Sequence, residues 1–161
     1  DLYKSILDDF FRIKLVVHTH AKLRLKDLVD RYPIAGAQIE DNEPVSHDEI
    51  IVRYGEADMM VLSTLDDLSI PGKLFEYIRS GTPVLAFAVP NAESHQLIEK
   101  TGTGFVAPHD DVEAGADLLE DIYDRWRSGQ PLVTPQADSI RQLERRVAYK
   151  HIFAALDHMT G

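Results

Sequence analysis

The chain of 161 residues contains no cysteine, which excludes disulfides, cysteine catalysis and thiolate metal sites together. It has no apolar run near the roughly 20 residues needed to cross a bilayer. The N-terminus also lacks the basic, apolar, small-residue order of a secretory signal. Basic residues are scarce, with 17 Lys and Arg against 27 Asp and Glu, a net charge of −10. A reader of phosphate backbones carries a basic face, so nucleic acid is not an expected partner. A small anionic ligand is still compatible, because one or two cations in a cleft suffice to hold a diphosphate. The hydrophobic share, 44%, and the charged share, 27%, are ordinary for a globular domain. The length suits one domain, 1–161, with its own core. Cytoplasm is the expected compartment.

What is present is an alternation of helical and strand patterns. Leu2 to Phe11 reads as an amphipathic helix, Ile13 to Val17 as a buried strand, and Ala21 to Arg31 as a helix stopped by Pro33. Ile34 to Ile39 reads as a second strand, and Glu40 to Val45 as an acidic loop containing Pro44. Ser46 with Glu49 forms a capping box, so a helix is expected from there to about Ala57. Met59 to Leu62 gives a third strand, Pro71 to Ser80 a helix closed by Gly81, and Pro83 to Ala88 a fourth strand. Glu93 to Lys100, ended by Gly102, is a short helix, and Phe105 to Ala107 a fifth strand. Asp111 to Arg127 is a long helix stopped at Gly129. Residues 129 to 134 read as a linker, and Ser139 to Met159 as a last helix.

Such alternation implies βαβ units and a parallel sheet flanked by helices, an α/β Rossmann-like fold. Ligands then bind beyond the carboxyl ends of the strands, at loops starting near His18, Glu40, Ser63, Val89 and Pro108. The pattern opens on a helix with no strand before it, so a first strand and its loop are expected upstream of Asp1.

The stretch from Ser63 to Tyr77 is the most informative. It follows a strand and opens a helix, with Ser69 as the expected N-cap, Pro71 in the first turn and Gly72 leaving the backbone open. Free amides and the helix dipole there attract anions. Lys73 opposes that dipole at a cost of about 0.3 to 1 kcal/mol, a sign that a bound diphosphate would reverse. Glu76, three residues on and on the same face, can accept hydrogen bonds from ribose or sugar hydroxyls. On spacing alone the two read equally well as a surface helical pair.

Two runs, Tyr54-Gly-Glu-Ala-Asp-Met-Met-Val-Leu-Ser-Thr and Ile70-Pro-Gly-Lys-Leu-Phe-Glu-Tyr-Ile-Arg-Ser-Gly-Thr-Pro-Val-Leu-Ala, carry a resemblance when taken in order with Gly102-Thr-Gly-Phe-Val and Asp110-Asp-Val-Glu. The sequence resembles the GT-B glycosyltransferases of the retaining group 1 family (family 4), from about residue 13 to 127. The resemblance implies the nucleotide-sugar-binding, C-terminal half of a GT-B fold, with 139–159 a helix that packs on an absent N-terminal domain. By position, Glu76 matches the second acid of the family's E-x7-E motif, which holds the donor ribose. Lys73 and the amides of Ile70, Pro71 and Gly72, together with Ser69, would face the diphosphate or sugar; Pro71 itself brings no amide hydrogen. Pro44 and Val45 would lie beside the base, and His18 to His20 would line the cleft floor. The implied catalytic pair is Lys73 and Glu76. No metal and no cofactor is implied beyond the nucleoside diphosphate sugar that serves as donor.

The sequence departs from the family at two points. The first acid of E-x7-E would stand at position 68, which is Leu68, with Asp66 and Asp67 out of register; a Pro-x-Lys-Leu-x-Glu-Tyr pattern, found in some members, takes its place. The basic pair that meets the leaving diphosphate would precede Asp1. The implied partners are a nucleotide sugar and a glycan or lipid-linked acceptor bound through the absent domain. Peripheral membrane association of the intact enzyme and a role in polysaccharide biosynthesis go with them. The fragment alone is not expected to transfer sugar. Two other readings stay open: a sugar-nucleotide epimerase of the same fold, and a non-catalytic binding or scaffolding domain, for which Leu68 argues. His18 and His20 share a strand face without a third ligand, and the acids from Glu113 to Asp124 read as a solvated helix face.

Overall fold

The computed structural model describes residues 14–18, 22–32 and 38–144. The predicted helix over 2–11 and most of the last predicted helix lie outside them, as does His20. The chain divides into two compact units, with the boundary in sequence between Ile50 and Ile51.

In the first unit, β1 (Leu15–His18) pairs in parallel with β2 (Ile39–Asn42), with Leu15 opposite Ile39 and His18 opposite Asn42. Helix α1 (Lys22–Arg31) lies between them in sequence. The second strand therefore includes residues 40–42, read from the pattern as part of an acidic loop, while residues 34–37 of the predicted strand lie outside the described ones. Its polar residues are compatible with a strand because Glu40 and Asp41 are exposed. Glu40 Oε1 also accepts from the Asn42 side-chain Nδ2 at 3.2 Å, two residues along the same strand.

Helix α2 (His47–Tyr54) starts where the capping box predicts, with the Glu49 amide donating to Ser46 Oγ at 3.3 Å. It ends three residues early. The amides of Gly55 and Glu56 reach back to the carbonyls of Val52 and Arg53, tightening the last turn into the i→i−3 pattern that closes many helices.

The second unit is a parallel three-stranded sheet in the order β3 (Met60–Ser63), β4 (Val84–Ala88), β5 (Gly104–Pro108). Met60 lies opposite Val84, and Val84 opposite Gly104. The crossovers are α3 (Gly72–Ser80) and α4 (Glu93–Thr101), followed by α5 (Val112–Arg127). Strand β4 is central, and Val84, Leu85, Ala86 and Ala88 are buried, as an apolar run covered on both faces should be. Leu74 and Ile78 of α3 and Leu97 and Ile98 of α4 complete that core.

The glycines that close α3 and α4 do so by taking φ of +79° at Gly81 and +60° at Gly102, the left-handed turn that ends helices. Asp111 caps α5, accepting from the Ala114 amide at 2.9 Å. The predicted linker is anchored at its end, since the Gln136 amide donates to the Thr101 carbonyl at 2.8 Å. A short helix, α6 (Ala137–Gln142), follows and ends at Leu143.

The two parallel sheets, with helices in every described crossover, make an α/β Rossmann-like arrangement consistent with half of a GT-B fold. Among the described residues no helix is long and apolar enough to cross a membrane.

Candidate functional site

Strand β3 ends at Ser63, and the chain then travels through an exposed loop to α3. Asp66 organises this loop. Its carboxylate accepts from the Leu68 amide at 2.9 Å and from the Ser69 hydroxyl at 2.5 Å, and its own amide donates to Thr64 Oγ1 at 3.4 Å. The Ser69 hydroxyl, and after it the Leu68 amide, hold the Asp66 carboxyl below the usual aspartate value, because both stabilise the ionised form. The Asp67 carbonyl accepts from the Glu93 amide at 3.2 Å, tying the loop to the start of α4.

Ser69 is thus not the N-cap that its position predicts. Its hydroxyl is taken by Asp66, and the cap position falls to Pro71, with φ −57° and ψ 132° and no side-chain hydrogen bond. Proline explains the shift. It disfavours helical geometry in the residue before it, Ile70, so the helix cannot begin directly after Ser69.

The result is an uncapped helix start. Gly72 has open space where a Cβ would stand. The Leu74 amide bonds to the Pro71 carbonyl at 2.9 Å, while the amides of Gly72 and Lys73 find no acceptor among the described residues. Those amides and the dipole make this end positive. Lys73 adds a full charge to it, is exposed, and takes part in no ion pair among the described residues.

Glu76 stands one turn further along, half-buried. Its Oε2 lies 3.4 Å from the Tyr54 hydroxyl. Tyr54 is buried and packs edge-on against Tyr77, with ring centroids 5.0 Å apart and an interplanar angle of 87°. Burial, then the Tyr77 phenol and the Glu76 carboxylate, push the Tyr54 phenol up to about 12. Burial and Glu76 also raise Tyr77.

Ser69, Ile70, Pro71, Gly72, Lys73 and Glu76 therefore belong to one loop and one helix start. Leu68, in the register of the missing acid, leaves 84% of its surface exposed. Two surface depressions of the second unit lie elsewhere, one by Asp121 and Arg125, the other between Phe87 and Leu119.

His18, Pro44 and Val45 belong to the first unit. His18 closes β1, and its Nδ1 lies 3.0 Å from the Glu43 carbonyl. A carbonyl can only accept, so Nδ1 carries the proton. Pro44 and Val45 follow in the same loop, half-buried. Tyr54 was not among the residues that spacing singles out for the site. It is 22 positions from Glu76, and the only signal for it was its place at the head of the run that carries the family resemblance.

Comparison with known proteins adds one match. Residues 5–125 fit the family described as glycosyl transferases group 1. No curated protein and no solved structure matches the chain. The match takes in both sheets and the whole loop and helix start around Lys73 and Glu76. With parallel strands, βαβ crossovers and an anion-favouring helix start at the carboxyl end of β3 all present, the chain belongs to the group 1 glycosyl transferases.

Proposed function

We propose that this chain is the donor-binding part of a glycosyltransferase and that the start of α3 holds the diphosphate of a nucleotide sugar. The observation that carries the reading is the uncapped start of α3. The open amides of Gly72 and Lys73, whose partial charges form the positive end of the dipole, and the Lys73 ammonium are met by no capping side chain or ion pair among the described residues. A folded protein gains nothing from this arrangement when empty, because Lys73 opposes the dipole. It gains once an anion is bound.

In the transfer, the bond between the sugar and the diphosphate breaks and negative charge grows on the departing oxygens. Groups already aimed at that charge stabilise it without reorganising. Lys73 and the α3 amides would serve there, and Glu76 would accept hydrogen bonds from donor hydroxyls, ribose foremost. The acceptor, a glycan or a lipid-linked saccharide, would be bound by other parts of the intact enzyme, with reaction at the cytoplasmic side of a membrane in polysaccharide biosynthesis.

The test is Glu76→Ala in the intact enzyme. Hydrogen bonds to a charged group contribute about 1.5 to 3 kcal/mol, so transfer at low donor concentration should fall on the order of tenfold to a hundredfold or more. Unchanged transfer by a folded Glu76→Ala enzyme would remove Glu76 from the site.

A further inference from the structure

Glu76 has one side-chain partner among the described residues, the Tyr54 hydroxyl. Tyr54 is unusually well fixed. Its carbonyl accepts from Thr82 Oγ1 at 2.6 Å, a buried bond across 28 residues. The Thr82 amide donates to Ser80 Oγ at 3.3 Å, and Ser80 Oγ donates to the Tyr77 carbonyl at 2.8 Å. Tyr77 returns to Tyr54 through the edge-on ring contact. The last residue of α2 is therefore clamped to the far end of α3 by a closed circuit, and its hydroxyl is delivered to one oxygen of Glu76. The ring alone would satisfy the packing, and phenylalanine would do that as well. A hydroxyl at this place has a use only if the carboxylate needs a fixed direction, since a glutamate on a helix surface otherwise samples several rotamers.

We infer that Tyr54 is a positioning residue for Glu76: it holds Oε2 and so presents Oε1 to the hydroxyls of the bound nucleotide. This rests on the donor-site reading of Glu76 above. The 3.4 Å separation is long for O–H···O, and such bonds commonly shorten when a ligand completes the site. Pre-fixing the carboxylate saves the ordering cost that binding would otherwise meet.

The experiment is a double-mutant cycle on the intact enzyme with Tyr54→Phe, Glu76→Ala and both together. Calorimetric affinity for UDP, GDP and ADP is measured alongside the melting temperature of each variant. Tyr54→Phe should weaken the nucleotide that binds by about threefold to tenfold, the range of one net hydrogen bond. In the Glu76→Ala background it should weaken binding no further, since the carboxylate it positions is already gone. The donor KM should rise with kcat nearly unchanged. A merely structural hydroxyl would instead lower the melting temperature and cost the same affinity in both backgrounds, which overturns the inference. So does Tyr54→Phe with unchanged affinity while Glu76→Ala weakens binding, an outcome that leaves the donor site standing. Glu76→Ala without effect overturns both.

Discussion

Replacing Lys73 by alanine should make the empty protein more stable and the nucleotide-bound protein less stable. Lys73 occupies the second residue of α3, exposed and without a counter-ion among the described residues. Removing a cation from that end relieves a dipole conflict of about 0.3 to 1 kcal/mol, and alanine is at least as good a helix former. The empty variant should then gain about 0.5 kcal/mol, or roughly 1 to 2 °C in melting temperature for a domain of this size. With ligand the sign turns. Loss of one charge-assisted contact costs about 2 kcal/mol, roughly a thirtyfold rise in Kd. At a ligand concentration of about 100 times the wild-type Kd, wild type gains about 2.7 kcal/mol and the variant, then near three times its own Kd, only about 0.8. The variant should therefore melt above wild type without nucleotide and below it with saturating nucleotide. The assay is thermal unfolding followed by circular dichroism, with and without the nucleoside diphosphate that binds. An empty variant that melts below wild type, or an equal ligand shift in both proteins, would refute the reasoning.

Three further outcomes follow from the same structure. A Cβ at Gly104 would collide with the Val84 carbonyl across the β4–β5 pairing, so Gly104→Ala should cost on the order of 3 kcal/mol, whereas Gly81→Ala, with open space and only a left-handed φ to strain, should cost about 1; urea unfolding compares them, and equal losses would contradict the packing. The Tyr54 phenol, raised to about 12 from 10.0, favours the folded state below pH 10, and this contribution is lost as pH rises from about 10 through 12; ultraviolet titration should show a late phenol that disappears in Tyr54→Phe. The Asp66 carboxyl is depressed by Ser69 and Leu68, so its contribution is present at neutral pH and lost as pH falls below the ordinary aspartate value and through the lowered one. Carboxyl NMR should show a titration midpoint below 3.8, moving up in Ser69→Ala.

The fold was largely legible because its strongest signals are local. Gly81 and Gly102 end their helices with positive φ where the apolar periodicity stops, and Ser46 caps α2 as its spacing with Glu49 requires. Where two local rules competed, the wrong one was easy to choose. Hydropathy reads the polar residues 40–42 as loop, but they belong to the strand that pairs with β1. Ser69 satisfies the composition of a cap, but Pro71 decides where the helix can begin. Lys73 and Glu76 fall on the same helix in the register the spacing gives. What the sequence could not offer was the hold of Tyr54 on α3. Its contacts, to Glu76 at 22 residues and Thr82 at 28, depend on how the end of α2 meets α3, and no periodic pattern encodes such a meeting.

The donor site is tested most directly by calorimetric titration of the intact enzyme with UDP, GDP and ADP, repeated with Glu76→Ala. The account predicts that one of the three binds and that its affinity falls at least tenfold in the variant, which would also name the base. Binding of none, or binding that Glu76→Ala leaves unchanged, would contradict it.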